Sequence, residues 1–345
     1  MEVAEYTANP MKLVVYGPRK RLGAWLDDGS VIDLNHAYSE LLTSKGEPNV
    51  CAKADAEVPS CLQAFIEEGE AGLKAAKKAV DYAKKAKVDA NGESLVLQNV
   101  KLHAPLSSPA TRIAMTGANF YDHSADVSKM FGQPTSIEEI KKQVASGTYD
   151  AWGFWKLAHN VVGPDSSIPY PTRTQRLDYE IEVGAVIGKK GKDIKEEEGE
   201  SYIYGYTIVN DLSIRDGPRT RSPDGFFFAK NFDGSAPMGP CIVTKDEVGD
   251  VYQLKLKQTV NGKTRQDGRM SSMIRKYPWW IAWLSKDMYL YPGDIVCGGT
   301  CSGTALDTSP VVDGKTKPDN FLKPGDVLVA TVPGIGSIKT SIVKK

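Results

Sequence analysis

The chain has 345 residues, of which 41% are hydrophobic and 25% are charged, and its 43 basic residues balance its 43 acidic residues. A neutral chain without basic clusters is not expected to bind nucleic acid, and the lack of an apolar run of about 18 residues argues against a membrane span. The five scattered cysteines favour free thiols in a reducing compartment, and the first residues lack the order of a signal peptide. We therefore expect a cytoplasmic protein.

The first third of the chain is predicted to form a small α+β unit. Asp28 and Gly29 stand between two apolar runs, which is typical of a β-hairpin turn. The predicted elements are, in order, strands over residues 12–16, 21–26 and 31–34, a helix over 60–85 that is broken around Gly69 and Gly72, and a strand over 95–102. A proline-containing linker follows, so we place a domain boundary near residue 106. This gives an N-terminal domain over 1–106 and a second domain over 107–345.

The second domain begins with an apolar strand over residues 113–117 and a short segment that contains His123 and Asp126. If this segment is helical, the two side chains stand three residues apart on one face and can touch. A histidine that is oriented by a carboxylate is a general-base arrangement. The alternative from these residues alone is an ordinary surface pair.

A longer connection follows, over residues 128–155. Ser136 has the character of a helix N-cap and acids follow it, which predicts a helix over 136–146. Glycines flank this helix, and the aromatic residues Trp152, Phe154 and Trp155 come after it. The segment is a candidate lid; a surface decoration or a dimer contact is the alternative.

The most informative stretch is the predicted strand over residues 177–188, which contains Glu180 and Glu182. In a strand, residues i and i+2 project from the same face, so the two carboxylates lie side by side and repel each other. A shared proton, a basic partner or a metal ion must offset this repulsion. A second strand ends in Asp211, and three converging carboxylates form an oxygen site suited to Mg²⁺ or Ca²⁺. The alternative is an exposed face of an edge strand.

Two cations and a glycine-rich turn follow this site in the chain. Arg215 lies four residues after Asp211, and Lys230 follows three phenylalanines. Such cations can bind a substrate carboxylate or stabilise an enolate, although lone basic residues are usually solvated. Gly299 allows close approach of the backbone to a ligand, and Thr300 offers a hydroxyl. Between these stretches the sequence predicts a hairpin at Asn261-Gly262 and a core helix over 273–284 with three tryptophans.

Five phrases of the chain, in this order, resemble the fumarylacetoacetate hydrolase superfamily. They are Gly117-x-Asn119-Phe120-x-x-His123, Asp178-Tyr179-Glu180-Ile181-Glu182-Val183, Asn210-Asp211-Leu212-Ser213-Ile214-Arg215-Asp216, Lys230-x-Phe232-Asp233, and the run from Pro292 to Gly303. The resemblance extends over residues 112–342. The chain departs from the superfamily pattern at Asp126, where a Glu is usual, and at Cys301, where a Pro is usual.

The resemblance implies a β-rich α+β fold, with a mixed β-sandwich or roll as catalytic domain and a small N-terminal α+β domain. It implies a homodimer that binds one Mg²⁺ ion, with Mn²⁺ or Ca²⁺ as alternatives, and acts on a 2-oxo or β-diketo acid. The roles that it implies are metal ligands (Glu180, Glu182, Asp211), catalytic residues (His123, Asp126, Lys230) and substrate-binding residues (Arg215, Gly299, Thr300).

Three activities are compatible with these residues. The first is Mg²⁺-dependent hydrolysis of a C–C bond in an acylpyruvate-type acid, because a histidine and an acid three residues later are present. The second is decarboxylation, isomerisation or another C–C lyase reaction of a 2-oxo acid, which the change to Asp126 would favour if water activation is lost. The third is a metal-binding relative without catalysis.

Overall fold

The computed structural model describes residues 11–130, 132–216, 223–312, 315–317 and 319–345. Its strands are β1 (Lys12–Tyr16), β2 (Arg21–Trp25), β3 (Val31–Asp33), β4 (Val96–Leu97), β5 (Leu102–His103), β6 (Arg112–Gly117), β7 (Trp152–Leu157), β8 (Val161–Val162), β9 (Ser166–Pro169), β10 (Leu177–Asp178), β11 (Ile181–Ile187), β12 (Ile203–Asn210), β13 (Ser213–Ile214), β14 (Ala236–Thr244), β15 (Lys255–Val260), β16 (Lys263–Arg269), β17 (Ile295–Cys297), β18 (Val311–Val312), β19 (Lys315–Thr316), β20 (Val327–Val332) and β21 (Gly336–Val343).

Helices cover the sheets and fill the connections between strands. They are α1 (Leu34–Ser44), α2 (Val50–Glu57), α3 (Leu62–Glu67), α4 (Gly69–Ala86), α5 (Tyr121–Met130), α6 (Ile137–Ala145), α7 (Glu196–Gly199), α8 (Pro223–Lys230), α9 (Lys245–Val248), α10 (Tyr277–Ser285) and α11 (Ala305–Thr308). None of the described helices is long and apolar enough to cross a membrane. The α+β, β-rich fold expected from the sequence is confirmed.

A twelve-stranded sheet forms the centre of the molecule, in the order β4-β3-β2-β1-β14-β12-β11-β17-β6-β7, with β5 on β1 and β8 on β14. A second sheet of five strands has the order β16-β15-β20-β21-β9. Strand β11 lies near the middle of the large sheet, antiparallel to both β12 and β17. All seven of its residues are buried, so the alternative of an exposed edge strand for Glu182 is wrong.

The predicted N-terminal hairpin is confirmed, with β2 and β3 antiparallel on either side of the Asp28-Gly29 turn. The helix predicted over 60–85 is two helices, α3 and α4, which separate at Gly69, where φ is +56°. Gly72 does not break the helix and is buried within α4. The sequence interpretation missed α1 and α2.

Strand β1 pairs with β14, so strands from both sides of residue 106 belong to one sheet. One hydrophobic cluster also contains residues from both sides, for example Leu13 and Leu22 together with Ile242 and Ile295. The division into domains at residue 106 stays a prediction.

The later elements agree in part with the sequence. The Asn261-Gly262 hairpin joins β15 to β16, and all five cysteines, which lie in described segments, are free. The helix predicted to begin at residue 273 begins at Tyr277 instead, where a proline in the first turn favours helix initiation. Trp280 is buried as predicted, but Trp283 is 45% exposed and is not a core residue.

Candidate active site

Three carboxylates converge where β11 and β12 meet. Glu180, Glu182 and Asp211 each offer an oxygen atom, and these oxygens lie within 4.8 Å of one another. The backbone N–H of Asp211 donates to the carbonyl of Glu180 over 2.8 Å, which fixes the end of one strand against the start of the other. All three side chains are buried, as the metal-site prediction requires.

Buried cations neutralise two of these carboxylates. The Lys230 ammonium lies 2.6 Å from Glu180 Oε2 and 2.7 Å from Asp211 Oδ2. Lys156 Nζ lies 2.7 Å from Asp211 Oδ1, and Arg215 pairs with Glu180 and with Asp178. Burial alone would raise the pKa of Glu180, but Arg215 and Lys230 outweigh it and hold that pKa well below its usual value.

Glu182 is the exception, because among the described residues it has no basic partner in direct contact. It accepts a hydrogen bond of 2.8 Å from the Gly299 N–H. Burial, and then the charges of Asp211 and Glu180, raise the pKa of Glu182 well above its usual value. A carboxylate in this position needs a proton or a cation beside it.

The charge balance of the described cluster fits a divalent cation. Five buried carboxylates face the three cations Lys156, Lys230 and Arg215. With His123 neutral, two negative charges remain, and one divalent cation would neutralise them. The carboxylates are Asp178, Glu180, Glu182, Asp211 and Asp307. An all-oxygen donor set suits a hard cation such as Mg²⁺, Mn²⁺ or Ca²⁺. The residues present therefore fit the implied metal.

His123 reaches this cluster from α5. The predicted pairing of His123 with Asp126 is wrong. The Nδ1 of His123 lies 2.9 Å from Asp307 Oδ2, whereas Asp126 accepts hydrogen bonds from Ser302 Oγ and from Lys129 Nζ. The imidazole faces the triad, whereas Asp126 forms an ion pair with the exposed Lys129. Asp307 therefore takes the position beside the imidazole that the sequence analysis predicts for Asp126.

The position of the Asp307 carboxylate is fixed by the backbone that leads into α11. Its Oδ2 accepts hydrogen bonds from the N–H groups of Gly303 and Thr304, and it forms a capping box with Thr304 at the start of α11. The other imidazole nitrogen, Nε2, lies 3.9 Å from Glu180 Oε1. Burial would lower the pKa of His123, but the charges of Asp307 and Glu180 outweigh it and raise that pKa.

Gly299 and Thr300 lie at the site, as predicted, but the hydroxyl of Thr300 is already used. It donates to the Ile181 carbonyl and accepts from Gln266 Nε2, both over 2.8 Å. Of the two threonines at the site, Thr116 is the one whose hydroxyl has no hydrogen-bond partner among the described residues, and its side chain is buried. Gly299 has a φ of +90°, and a Cβ there would lie 3.2 Å from that hydroxyl oxygen.

Sequence reasoning missed Asp307, Lys156 and Thr116. Lys156 carried a usable signal, because it alternates with Trp152 and Phe154 on one face of a single strand, where a buried lysine needs an acidic partner. Asp307 is 184 residues from His123 in the chain and lies in a stretch without a distinctive pattern. No local pattern could have joined these two residues.

The carboxylate triad, His123, Arg215 and Lys230 line one cavity of about 540 Å³, whereas Asp307 and Lys156 are not part of its lining. The lining residues are Thr116, Gly117, Ala118, His123, Val127, Trp152, Gly153, Phe154, Glu180, Glu182, Asp211, Arg215, Phe226, Lys230, Thr300 and Leu306. The helix predicted over 136–146 is confirmed as α6. The end of the candidate lid is β7, however, which pairs with β6 over six residue pairs, so residues 152–155 belong to the sheet.

The fold and the site together define an α+β protein with a buried acidic centre that can hold a divalent metal beside a His–Asp pair. The chain belongs to the fumarylacetoacetate hydrolase family of enzymes, since the model of the C-terminal domain of fumarylacetoacetate (FAA) hydrolase matches residues 112–343.

Relatives match along most of the chain. A mitochondrial oxaloacetate tautomerase of Xenopus laevis is 33% identical over 346 residues, which covers 99% of this chain and 93% of the relative. The oxaloacetate tautomerase YisK of Bacillus subtilis is 32% identical and covers 94% of this chain and 96% of its own length. The structure of a fumarylacetoacetate hydrolase from Exiguobacterium antarcticum has a TM-score of 0.68 and 26% identity, and covers 97% of this chain and 100% of its own.

Proposed function

We propose that this protein is a metal-dependent tautomerase that interconverts the keto and enol forms of a 2-oxo acid. The observation that carries the proposal is that His123, which pairs with Asp307, lines one cavity together with the carboxylate triad, since a base next to a cation site suits proton transfer α to a carbonyl. The two tautomerases that match over more than nine-tenths of the chain support it and suggest oxaloacetate as the first substrate to test.

Glu180, Glu182 and Asp211 would hold the metal, for which we propose Mg²⁺, with Mn²⁺ or Ca²⁺ as alternatives. A divalent ion bound there would polarise the 2-oxo group of the substrate and favour its enolate. Lys230 and Arg215 keep Glu180 ionised. We assign Lys230 a second role, as the cation nearest to the developing negative charge, and Arg215 a role in orienting the substrate carboxylate.

The proton moves through His123. In the direction from keto to enol, Nε2 takes a proton from C3 of the substrate, and the electron pair of the broken C–H bond becomes the C2=C3 double bond. The same imidazole then delivers that proton to the oxygen on C2, so the base is regenerated. Asp307 keeps the other proton on Nδ1 and stabilises the imidazolium that forms in between.

Hydrolysis of a C–C bond in a β-diketo acid is the second candidate. The same His123–Asp307 pair can activate a water molecule, and the matched structure from Exiguobacterium antarcticum is described as a hydrolase. Product analysis separates the candidates, because tautomerisation conserves mass, hydrolysis yields two acids and decarboxylation releases CO₂.

The test adds the purified protein and Mg²⁺ to oxaloacetate and follows the ultraviolet absorbance of its enol form. We expect His123→Gln to lower the rate of enol–keto interconversion by roughly 10²-fold or more, since a general base is lost, while the stabilisation of the fold by Mg²⁺ persists. Removing the metal with EDTA should abolish turnover as well. The matched control is His159→Gln, an exposed histidine outside the cavity, which should keep full activity. Full activity of His123→Gln, or products of two acids, would contradict the tautomerase.

We also propose a homodimer and a cytoplasmic location. Trp155 and Leu157 project from the edge strand β7 and are 38% and 44% exposed, which is a surface that a second copy could cover. The relative from Xenopus laevis is described as mitochondrial, so location is best tested directly by fractionation.

A further inference from the structure

Three rings line one side of the active-site cavity. Trp152 and Phe154 come from strand β7 and Phe226 comes from helix α8; we call them the aromatic wall. The centroid of the Phe226 ring lies 5.2 Å from that of Trp152 and 4.9 Å from that of Phe154, and each pair meets edge to face at 79°. This edge-to-face arrangement is the favourable one for aromatic rings, so the wall is formed before any ligand binds.

The Trp152 ring is held in place by the strand beside it. Gly117 is its partner in the register of β6 and β7, and a Cβ on Gly117 would lie 2.4 to 2.5 Å from three atoms of the indole. The ring therefore lies directly over the glycine, in space that any side chain would fill. Even so, 40% of Trp152 is exposed, so an apolar ligand group placed against it would remove ring surface from water.

The cations of the cavity are already paired. In the described structure Lys230 contacts Glu180 and Asp211, and Arg215 contacts Glu180 and Asp178. In the proposed function Arg215 orients the carboxylate on C1 of the substrate, and Lys230 faces the charge that develops on the oxygen of C2. A second carboxylate on C3 would therefore meet no further Lys or Arg among the described residues that line the cavity. An uncharged group on C3 carries no such desolvation cost.

The cavity is also large for a small dicarboxylate. Its volume of about 540 Å³ lies within the range of roughly 300–1,000 Å³ that is typical of pockets for larger ligands. Val127 and Leu306 extend the apolar lining beyond the aromatic wall. The polar groups that handle the 2-oxo acid and the apolar surface are thus both present in one cavity.

We infer that the aromatic wall selects 2-oxo acids that carry an apolar, planar group on C3, such as an aryl ring, over those that carry a carboxylate there. The inference rests on the proposed tautomerase function and specifies the class of its substrate. The ring of the substrate would pack against Trp152 and Phe226, while its carboxylate and carbonyl face Glu180, Glu182 and Asp211.

The experiment compares phenylpyruvate with oxaloacetate, which are both pyruvates substituted on C3, one by a phenyl group and one by a carboxylate. We measure kcat/KM for enol–keto interconversion of each with Mg²⁺. We expect the wild-type protein to prefer phenylpyruvate. Trp152→Ala should lower the ratio of the two kcat/KM values by about tenfold, because it removes an aromatic contact and the burial that goes with it.

Two further variants separate recognition from folding. Phe226→Leu changes the aromatic wall from a different element and should also lower the ratio, by about threefold or more. Trp155→Ala is the matched control, because Trp155 lies on the same strand with a similar exposure of 38% but does not line the cavity. It should leave the ratio unchanged.

A preference for oxaloacetate, or an equal loss for both substrates in Trp152→Ala and Phe226→Leu, would overturn the inference. If the wild-type protein turns over neither substrate, the proposed function fails, and binding then decides the inference alone. In that case phenylpyruvate should still bind to the Mg²⁺-loaded protein more tightly than oxaloacetate in a calorimetric titration, and Trp152→Ala should remove the difference. Equal affinities would overturn it.

Discussion

His123 and Asp307 illustrate how single contacts define this site. Asp126 lies on the same helix as His123, and Asp307 lies on α11. Only Asp307 forms a hydrogen bond with the imidazole, because Asp126 bonds to Ser302 instead. Because Asp307 also accepts two backbone N–H groups, its carboxylate cannot turn away from the histidine without losing them. The pair is therefore held in position before a substrate arrives.

This geometry predicts different outcomes for two acids that lie near His123. Asp307→Asn should lower kcat by about 10²-fold or more, because the amide cannot stabilise the imidazolium, while KM changes little. Asn still accepts hydrogen bonds at the start of α11, so the melting temperature should stay close to that of the wild type. Asp126→Asn should lower kcat by less than about threefold, since Asp126 contacts Ser302 and Lys129 instead. A larger loss in Asp126→Asn than in Asp307→Asn would restore the pairing that the sequence suggested.

Whether a contact in the site can be predicted from the sequence depends on how far apart its two residues lie in the chain. The alternation of one predicted strand places Glu180 beside Glu182, and the end of the next predicted strand places Asp211. In the structure Glu180 lies just before β11 and Asp211 just after β12, where these two strands pair. The sequence predicts that Thr300 offers its hydroxyl to a substrate, but the Ile181 carbonyl and Gln266 already bond to this hydroxyl, and both contacts join separate parts of the chain. Local patterns reveal which side chains converge within a hairpin, whereas long-range contacts decide which of their atoms remain free.

At the scale of elements, Asp33 ties the N-terminal hairpin to the first helix. It accepts hydrogen bonds from Tyr16 on β1 and Arg21 on β2, both over 2.5 Å, and caps α1 through the His36 N–H. Burial would raise the pKa of Asp33, but the hydrogen bonds from Arg21 and Tyr16 outweigh it, so that pKa lies below its usual value. The ionised carboxylate therefore stabilises the folded state.

The sign of this shift sets a pH dependence. We expect Asp33→Asn to lower the free energy of unfolding by about 2 kcal/mol at neutral pH, since the variant keeps the cap but loses charged hydrogen bonds. The difference should be complete above the unfolded pKa of about 3.9 and should shrink as the pH falls through the lower folded pKa. Urea unfolding at several pH values measures this difference in the free energy of unfolding.

Asp27→Asn is the matched control, because Asp27 is 76% exposed and lies 3.4 Å from Lys12. It should change the free energy of unfolding by less than about 0.5 kcal/mol. A difference between Asp33→Asn and the wild type that is independent of pH would contradict the assignment.

The elements themselves were predicted best where their signal is local. The hairpins at Asp28-Gly29 and Asn261-Gly262 and the capped helix α6 follow from turn and cap residues alone. Helix α2 was missed because it has no side-chain cap and buries only Ala54, so its sequence shows little of an amphipathic period. Strand β7 is predicted as part of a lid because glycines and aromatic residues follow the predicted base in the chain, and only its register with β6 identifies it as a strand.

At the scale of the whole molecule, one sheet runs from β4 to β7 and includes both the N-terminal strands and the strands of the site. Strand β1 covers one edge of β14, and β12, which leads to Asp211, covers the other. All nine residues of β14 are buried. Because sequence composition shows a linker but not which strands pair across it, this continuity could not be read from the chain alone.

The continuous sheet predicts that the chain unfolds as one unit. A fragment of residues 107–345 lacks β1 and should expose the edge of β14 together with apolar side chains such as Met238 and Ile242, which share a cluster with Leu13 and Leu22. We expect this fragment to aggregate or to lose its cooperative thermal transition, and the full chain to show a single transition in calorimetry. Addition of a fragment of residues 1–106 should restore cooperative unfolding. A sharp transition of the 107–345 fragment alone would instead support two separate domains divided at residue 106, with β1 docked on a core that is already complete.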